Sequence, residues 1–202
     1  MDLRVQKTRE NIRSHFLQLL RTCPFQEITV KQLIQECRIN RSTFYRNYED
    51  KYDLLEQISQ ELLAQFCEAL RPSFVLLNTS SAQLVKQCFV PLLDFFCEAG
   101  PTLQILRARE LPIDLFGDMN REFAARLLKE LEKRSPLNGQ KRLEASYFAK
   151  IISANILTTI LWWHTGCPQE SRERILDLLS ATVIKGVAPS LQEDLLAEKG
   201  RN

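Results

Sequence analysis

The sequence predicts an all-α protein. Apolar residues recur at three- and four-residue intervals along the chain, and no segment shows a convincing strand pattern. The 202 residues are 45% hydrophobic and 26% charged, so the chain can bury a real core. The apolar stretches are interrupted at proline and glycine positions, where helices commonly end. We therefore expect a series of helices and no sheet.

Two helices are predicted before residue 38. The first is amphipathic, with Ile12, Phe16 and Leu20 on one face, and it ends near Pro24, which cannot continue the hydrogen-bond ladder. The second has only two turns. It follows Thr29, whose hydroxyl can cap the free backbone N–H groups of its first turn.

A third predicted helix covers the segment RSTFYRNY, which begins at Arg41. At about 100° per residue, Phe44 and Tyr48 share one face, and hydrogen-bonding side chains occupy the outward face. Because so short a helix is unstable alone, the two preceding helices must hold it and leave its polar face free. This arrangement predicts a helix-turn-helix, whose second helix enters the major groove of DNA.

Positive charge is concentrated in the same part of the chain. The net charge is only +2, but there are 10 Lys and Arg against 6 Asp and Glu through Lys51, and 17 against 19 in the remainder. A basic end suits a phosphate backbone, although such an excess is also common on a solvated surface.

These helices resemble the DNA-binding signature of TetR/AcrR-type transcriptional regulators over about residues 7 to 56. The resemblance implies an N-terminal three-helix DNA-binding domain, residues 1–51, and a larger helical effector-binding and dimerisation domain, residues 52–202. It implies a sequence-specific regulator, a repressor released from a palindromic operator by a small molecule. The matching residues are Thr29, Val30, Leu33, Ile39, Ser42, Thr43, Phe44, Tyr45, Tyr48, Lys51, Leu54 and Leu55.

The resemblance also assigns DNA contacts. Thr29 and Lys31 match positions that hold the DNA backbone, and Tyr45 and Lys51 match phosphate contacts. An arginine guanidinium can bond O6 and N7 of guanine together, so the two arginines of the third helix are the expected base readers. The groove-facing segment consists of Arg41, Ser42, Thr43, Arg46 and Asn47.

One position departs from the family pattern. The turn between the second and third helices usually contains glycine where this chain has Arg38. A non-glycine residue in a left-handed conformation costs on the order of 1 kcal/mol. We expect the turn to keep that conformation with a tolerable strain, and Arg38 to reach a phosphate.

Beyond Lys51 the chain is predicted to form a long connecting helix as far as Leu70 and then several more helices. We predict breaks at Gly100–Pro101, at Ser135–Pro136 with Asn138–Gly139, and between Gly166 and Pro168. The last two helices are too apolar for one protomer to cover, so we predict a homodimer through them. The expected stripe on the final helix consists of Ile175, Leu178, Leu179, Thr182, Val183 and Val187.

Aromatic residues of the middle and late helices can form the walls of a pocket for a hydrophobic small-molecule effector. A plain core role for each of them remains open at this stage. The candidate effector-binding residues are Phe89, Phe96, Arg107, Phe116, Tyr147 and Trp162.

No enzyme motif is present. The chain has neither a phosphate-binding lysine loop nor GxGxxG, and the only histidines are His15 and His164, so we predict no catalytic residue, cofactor or metal site. The six cysteines form no CxxC pair and are expected to be reduced. The apolar run from Ile151 to Trp163 is too short to span a bilayer, which predicts a cytoplasmic protein. Two alternatives stay open: a helical protein-interaction module and a cysteine-based redox-sensing regulator.

Overall fold

The computed structural model describes residues 3–76, 82–133 and 137–186. All regular structure within these ranges is helical, which confirms the predicted all-α class. Short 3-10 helices cover Phe25–Glu27 and Pro72–Leu76. The α-helices in chain order are α1 (Leu3–Thr22), α2 (Val30–Glu36), α3 (Arg41–Asn47), α4 (Lys51–Ala69), α5 (Ala82–Arg107), α6 (Leu115–Glu132), α7 (Gly139–Gly166) and α8 (Arg172–Lys185).

The chain packs as two compact units. Residues 1–64 and 99–115 belong to the first unit, and residues 65–98 and 116–202 belong to the second. This division follows packing, whereas the expected boundary between residues 51 and 52 divides the chain by function. The functional boundary stays a prediction.

The first unit is built on the apolar face of α1. Ile12, Phe16 and Leu20 are completely buried, as the spacing predicts. Phe25, in the connection to α2, sets its ring edge-on against Phe16 with 6.3 Å between the ring centroids. Leu33 of α2 is also fully buried. The three N-terminal helices therefore have a core of their own.

Helix α4 confirms the predicted long connecting helix. Its first half buries an apolar face within the first unit, and polar side chains of α1 tie the two helices together. The Arg9 guanidinium donates to Gln57 Oε1, and Arg13 forms an ion pair with Glu61. The buried residues of this half are Leu54, Leu55, Ile58 and Leu62.

The second unit has an aromatic core. The Phe66 ring contacts Phe95, Phe96 and Phe123, with centroid distances of 5.8, 6.3 and 6.2 Å. Phe74 stacks at a tilt on Phe89 at 5.0 Å. These contacts join the end of α4 to α5 and α6 within the unit.

Two details of the C-terminal region differ from the sequence expectations. Helix α5 continues through Gly100 and Pro101, where a break was predicted. Buried side chains on both sides of the proline, including Ala99 and Leu103, hold the helical path despite one missing backbone hydrogen bond.

The stripe predicted on α8 is the second difference. Ile175 and Leu179 are 0% and 1% exposed within a single chain, so they belong to the core of the protomer. Leu178, Thr182 and Val183 are half-buried, and Val187 lies outside the described residues.

Candidate nucleic-acid interface

Side-chain caps fix the starts of both helices in the helix-turn-helix. Thr29 Oγ1 accepts the backbone N–H of Gln32 at 3.1 Å, which confirms the predicted cap of α2. Asn40 Oδ1 accepts the backbone N–H of Thr43 at 2.7 Å and caps α3. Both helices have only 7 residues, so these caps supply a large part of their local stability.

The two faces of α3 are arranged as the spacing predicts. Phe44 is completely buried and Tyr48 is 5% exposed, so this side anchors the helix to the core. The Arg9 guanidinium lies 5.5 Å from the centre of the Tyr48 ring and braces it from α1. Arg41 and Arg46 are exposed on the outer side. A polar surface is thus presented on a helix whose other face is immobilised.

The Oδ1 atom of Asn40 accepts three hydrogen bonds. In addition to the capping bond, Ser42 Oγ donates to Asn40 Oδ1 at 2.8 Å and Thr43 Oγ1 donates to it at 2.7 Å. Asn47 Nδ2 donates to the carbonyl of Thr43 at 2.8 Å. Three of the five predicted groove-facing residues therefore use a side-chain donor within the helix. Sequence reasoning missed Asn40, although an asparagine directly before a helix is a strong capping signal.

Arg41 and Tyr45 form an exposed pair. The Arg41 guanidinium lies 5.4 Å from the centre of the Tyr45 ring, one helical turn away. Tyr45 is 46% exposed, and its ring also meets Phe44 edge-on at 5.5 Å. The buried Phe44 thereby supports Tyr45, and Tyr45 in turn supports the guanidinium.

Lys51 has a different environment from the one that the resemblance implies. Its ammonium donates to the backbone carbonyls of Phe25, Gln26 and Ile28 at 2.8, 2.9 and 2.8 Å. The nitrogen also lies 4.7 Å from the centre of the Phe25 ring. Burial lowers the pKa of Lys51, and neighbouring Asp50 opposes that shift.

An ammonium has three N–H donors, and here all three of Lys51 are used on carbonyls. A phosphate contact by Lys51 stays a prediction, and it would require one of these hydrogen bonds to be exchanged. Lys51 fastens the start of α4 to the connection between α1 and α2.

The start of α2 offers a second set of donors. Thr29 and Lys31 are both exposed there, as a backbone-binding role requires. The Thr29 hydroxyl oxygen accepts the capping bond and keeps its O–H as a donor. A helix start with a lysine beside it favours phosphate oxygens.

The turn keeps the left-handed conformation that Arg38 was expected to adopt. The φ angle of Arg38 is 52°, a region that non-glycine residues rarely occupy. Asn11 Nδ2 donates to the carbonyl of Cys37 at 3.0 Å and so ties the turn to α1. The Arg38 side chain is exposed.

The candidate effector residues occupy three different environments. Phe89 and Phe96 are each 1% exposed in the aromatic core of the second unit, and Phe116 is half-buried. Tyr147 and Trp162 are 60% and 45% exposed on α7. Arg107 is exposed and belongs to the first unit. These positions stay predictions as effector contacts.

Two of the six cysteines have thiol pKa values that burial raises. Burial, assisted by Glu36, raises the pKa of the Cys37 thiol to about 11, so this thiol is protonated at neutral pH and unreactive. Burial also raises the pKa of Cys67. Across residues 3–76, 82–133 and 137–186, no group of three His, Cys, Asp or Glu side chains is placed to hold a metal ion.

Helix α5 is long and apolar enough, by length and composition alone, to cross a membrane. Half of its most apolar window is buried inside the protein, as in the core helix of a soluble protein. This is weak evidence for a membrane span.

No model of a known protein family matches the chain. A stretch of 98 residues, 48% of this chain, is 25% identical to the uncharacterized HTH-type transcriptional regulator YxbF of Bacillus subtilis (strain 168). The match spans only 26% of the length of that relative.

Solved structures show the same architecture over most of the chain. A TetR transcriptional regulator from Streptococcus agalactiae 2603V matches with a TM-score of 0.60 and 20% identity, over 89% of this chain and 95% of that one. The dihydroxyacetone kinase operon activator DhaS matches with a TM-score of 0.52 and 19% identity, over 95% of both chains. The chain therefore has the fold of TetR-type transcriptional regulators, in agreement with the resemblance of its first three helices.

Proposed function

We propose that the protein is a sequence-specific DNA-binding transcription regulator. The observation that carries the proposal is α3, a short helix that exposes Arg41, Tyr45 and Arg46 while Phe44 and Tyr48 fix its inner face. A rigid helix with cations and a phenol on its free side is suited to the major groove. The fold shared with transcriptional regulators supports the same function.

Within this interface each residue has a chemical role. Arg41 and Arg46 read base edges, and Tyr45 and Lys31 contact phosphates. Thr29 supports the backbone contact from the start of α2. Ser42, Thr43 and Asn47 shape the helix surface and accept hydrogen bonds from bases. Residues 1–51 are the proposed DNA-binding domain. Lys51 holds the start of α4 to the connection between α1 and α2.

We also propose that the protein acts as a homodimer through α7, assisted by α8. Helix α7 exposes a set of large apolar side chains that one protomer leaves uncovered. An apolar face of this kind marks a protein interface, and a symmetric dimer covers it with its own copy. The exposed residues are Leu143 at 65%, Tyr147 at 60%, Phe148 at 57%, Ile151 at 53% and Trp162 at 45%.

The proposed regulation is the release of a palindromic operator by a hydrophobic small molecule bound in the second unit. Its aromatic core, centred on Phe66 and including Phe96, supplies apolar surface of the kind that such ligands use. We propose a repressor that acts in the cytoplasm. One structural neighbour is named an operon activator, so a reporter gene must establish the sign of regulation.

Selection from a library of random duplexes tests the function. The recovered sequences should share an inverted repeat whose half-sites are about 34–36 Å apart, or a multiple of that distance. Arg46→Ala should weaken the preference at one position of each half-site, whereas Lys129→Ala, an exposed cation on α6, should leave it unchanged. Recovery of unselected sequences would refute DNA recognition and favour an interaction module.

A further inference from the structure

A surface groove lies between the start of α1 and the turn of the helix-turn-helix. It has a volume of about 460 Å³ and is lined by Leu3, Arg4, Lys7, Thr8, Asn11 and Ile39. Five of these residues are in the first three turns of α1, and Ile39 is in the turn before α3. Neither Arg4 nor Lys7 belongs to the proposed reading surface.

The groove is basic. It has two cationic side chains, Arg4 and Lys7, among its lining residues and no carboxylate. The first turn of α1 contains no acidic residue, and Glu10 in the following turn does not line the groove. The exposed side chain of Arg38 stands next to Ile39 in the chain. A polyanion is the partner that this charge distribution fits.

The two sides of the groove are held together. Asn11 lines the groove and donates from Nδ2 to the carbonyl of Cys37 at 3.0 Å. Cys37 precedes Arg38, whose left-handed φ of 52° is a conformation that favours glycine and is strained for arginine. Among the residues that the structure describes, Arg38 is the non-glycine residue with a positive φ. A cationic side chain where glycine would relieve strain indicates that the side chain itself has a use.

We propose that this groove, together with Arg38, binds the phosphate backbone of the operator outside the bases read by α3. The proposal rests on the function proposed above. The surface is continuous with the reading helix, because Ile39 lines the groove and the next residue, Asn40, caps α3. The groove thereby lengthens the stretch of DNA that each DNA-binding domain contacts. Because phosphate contacts carry no sequence information, it adds no base readout.

Salt titrations test the proposal in the full-length protein. Binding of a selected operator is measured between 50 and 200 mM salt for Lys7→Ala, for Arg38→Gly and for the control Lys129→Ala. Each groove variant removes one cation from each protomer and so two from the dimer. It should therefore reduce the slope of log affinity against log salt by about 1.8, whereas the control should leave the slope unchanged. The affinity should fall by the same factor for the operator and for a mismatched duplex.

Arg38→Gly has a second readout that separates binding from folding. Because glycine has no Cβ, this variant should raise the melting temperature by about 2–4 °C while DNA binding weakens. A variant that is more stable and yet keeps the wild-type salt slope would overturn the role of Arg38.

Trimming the duplex provides an independent test. Wild-type affinity should fall when the duplex ends flush with the recognised bases, and Lys7→Ala should show little further loss. If wild type discriminates between duplexes but neither trimming nor the groove variants change its binding, the groove proposal alone fails. If wild type shows no preference among duplexes, the proposed function itself fails.

Discussion

Replacing Ile151 should separate the protomers without unfolding them. Ile151 is 53% exposed in one chain, so a dimer through α7 buries roughly half of this side chain in each copy. Full burial of an isoleucine side chain stabilises by about 1.5–3 kcal/mol, so half of it gives about 1 kcal/mol per copy. Truncation in both copies therefore costs about 2 kcal/mol, or about a 30-fold rise in the dimer dissociation constant.

Ile151→Glu should be more severe than Ile151→Ala, since it also places a charge in the apolar interface. The matched control is Leu179→Ala on α8. Leu179 is 1% exposed inside the protomer, so this change should lower the free energy of unfolding by about 2–5 kcal/mol. Light scattering over a range of concentrations and urea unfolding measure the two effects. An unchanged dimer for Ile151→Glu would refute the α7 interface.

Three further predictions concern single side chains. Lys51→Met should lower the free energy of unfolding by about 1.5–3 kcal/mol in urea, because three carbonyls lose a charged donor. Asn40→Ala should cost about 1 kcal/mol through loss of the α3 cap, whereas Asn40→Asp should retain it. Burial lowers the pKa of His164 below its ordinary 6.5 in the folded protein. As pH falls, the unfolded chain therefore binds more protons than the folded chain. Thermal stability should therefore decrease below about pH 6.5, and His164→Gln should flatten that dependence; an equal decrease in both proteins would contradict this origin.

Local chemistry explains the successful sequence predictions. The first four helices can be predicted from the sequence because their apolar faces follow the helical period. The start of α2 can be predicted as well, because the capping residue Thr29 bonds to a backbone N–H only three residues away. The burial of Phe44 and Tyr48 and the exposure of Arg46 follow from the same angular spacing. The left-handed turn at Arg38 was expected from the family pattern.

The missed features depend on contacts between distant parts of the chain. Lys51 is fastened to carbonyls 23 to 26 residues earlier, which the local pattern around Lys51 does not reveal. The stripe on α8 suggests a dimer surface because periodicity shows that a face is apolar but not which surface covers it. Leu179 faces the core of its own protomer, and Ile151 on α7 remains exposed.

The hydrogen bonds of α3 indicate which of its residues can read bases. Ser42 and Thr43 both donate their hydroxyl protons to Asn40 Oδ1, and Asn47 donates an amide proton to the Thr43 carbonyl. Donation from the Ser42 or Thr43 hydroxyl to a base would require breaking a bond that stabilises the helix start, whereas the Asn47 amide keeps a second N–H. The guanidinium of Arg41 is instead supported by the Tyr45 ring, whose centre lies 5.4 Å away. Base discrimination through side-chain donors should therefore rest mainly on the arginines, and guanine, which presents two acceptors to a guanidinium, is the base that they favour.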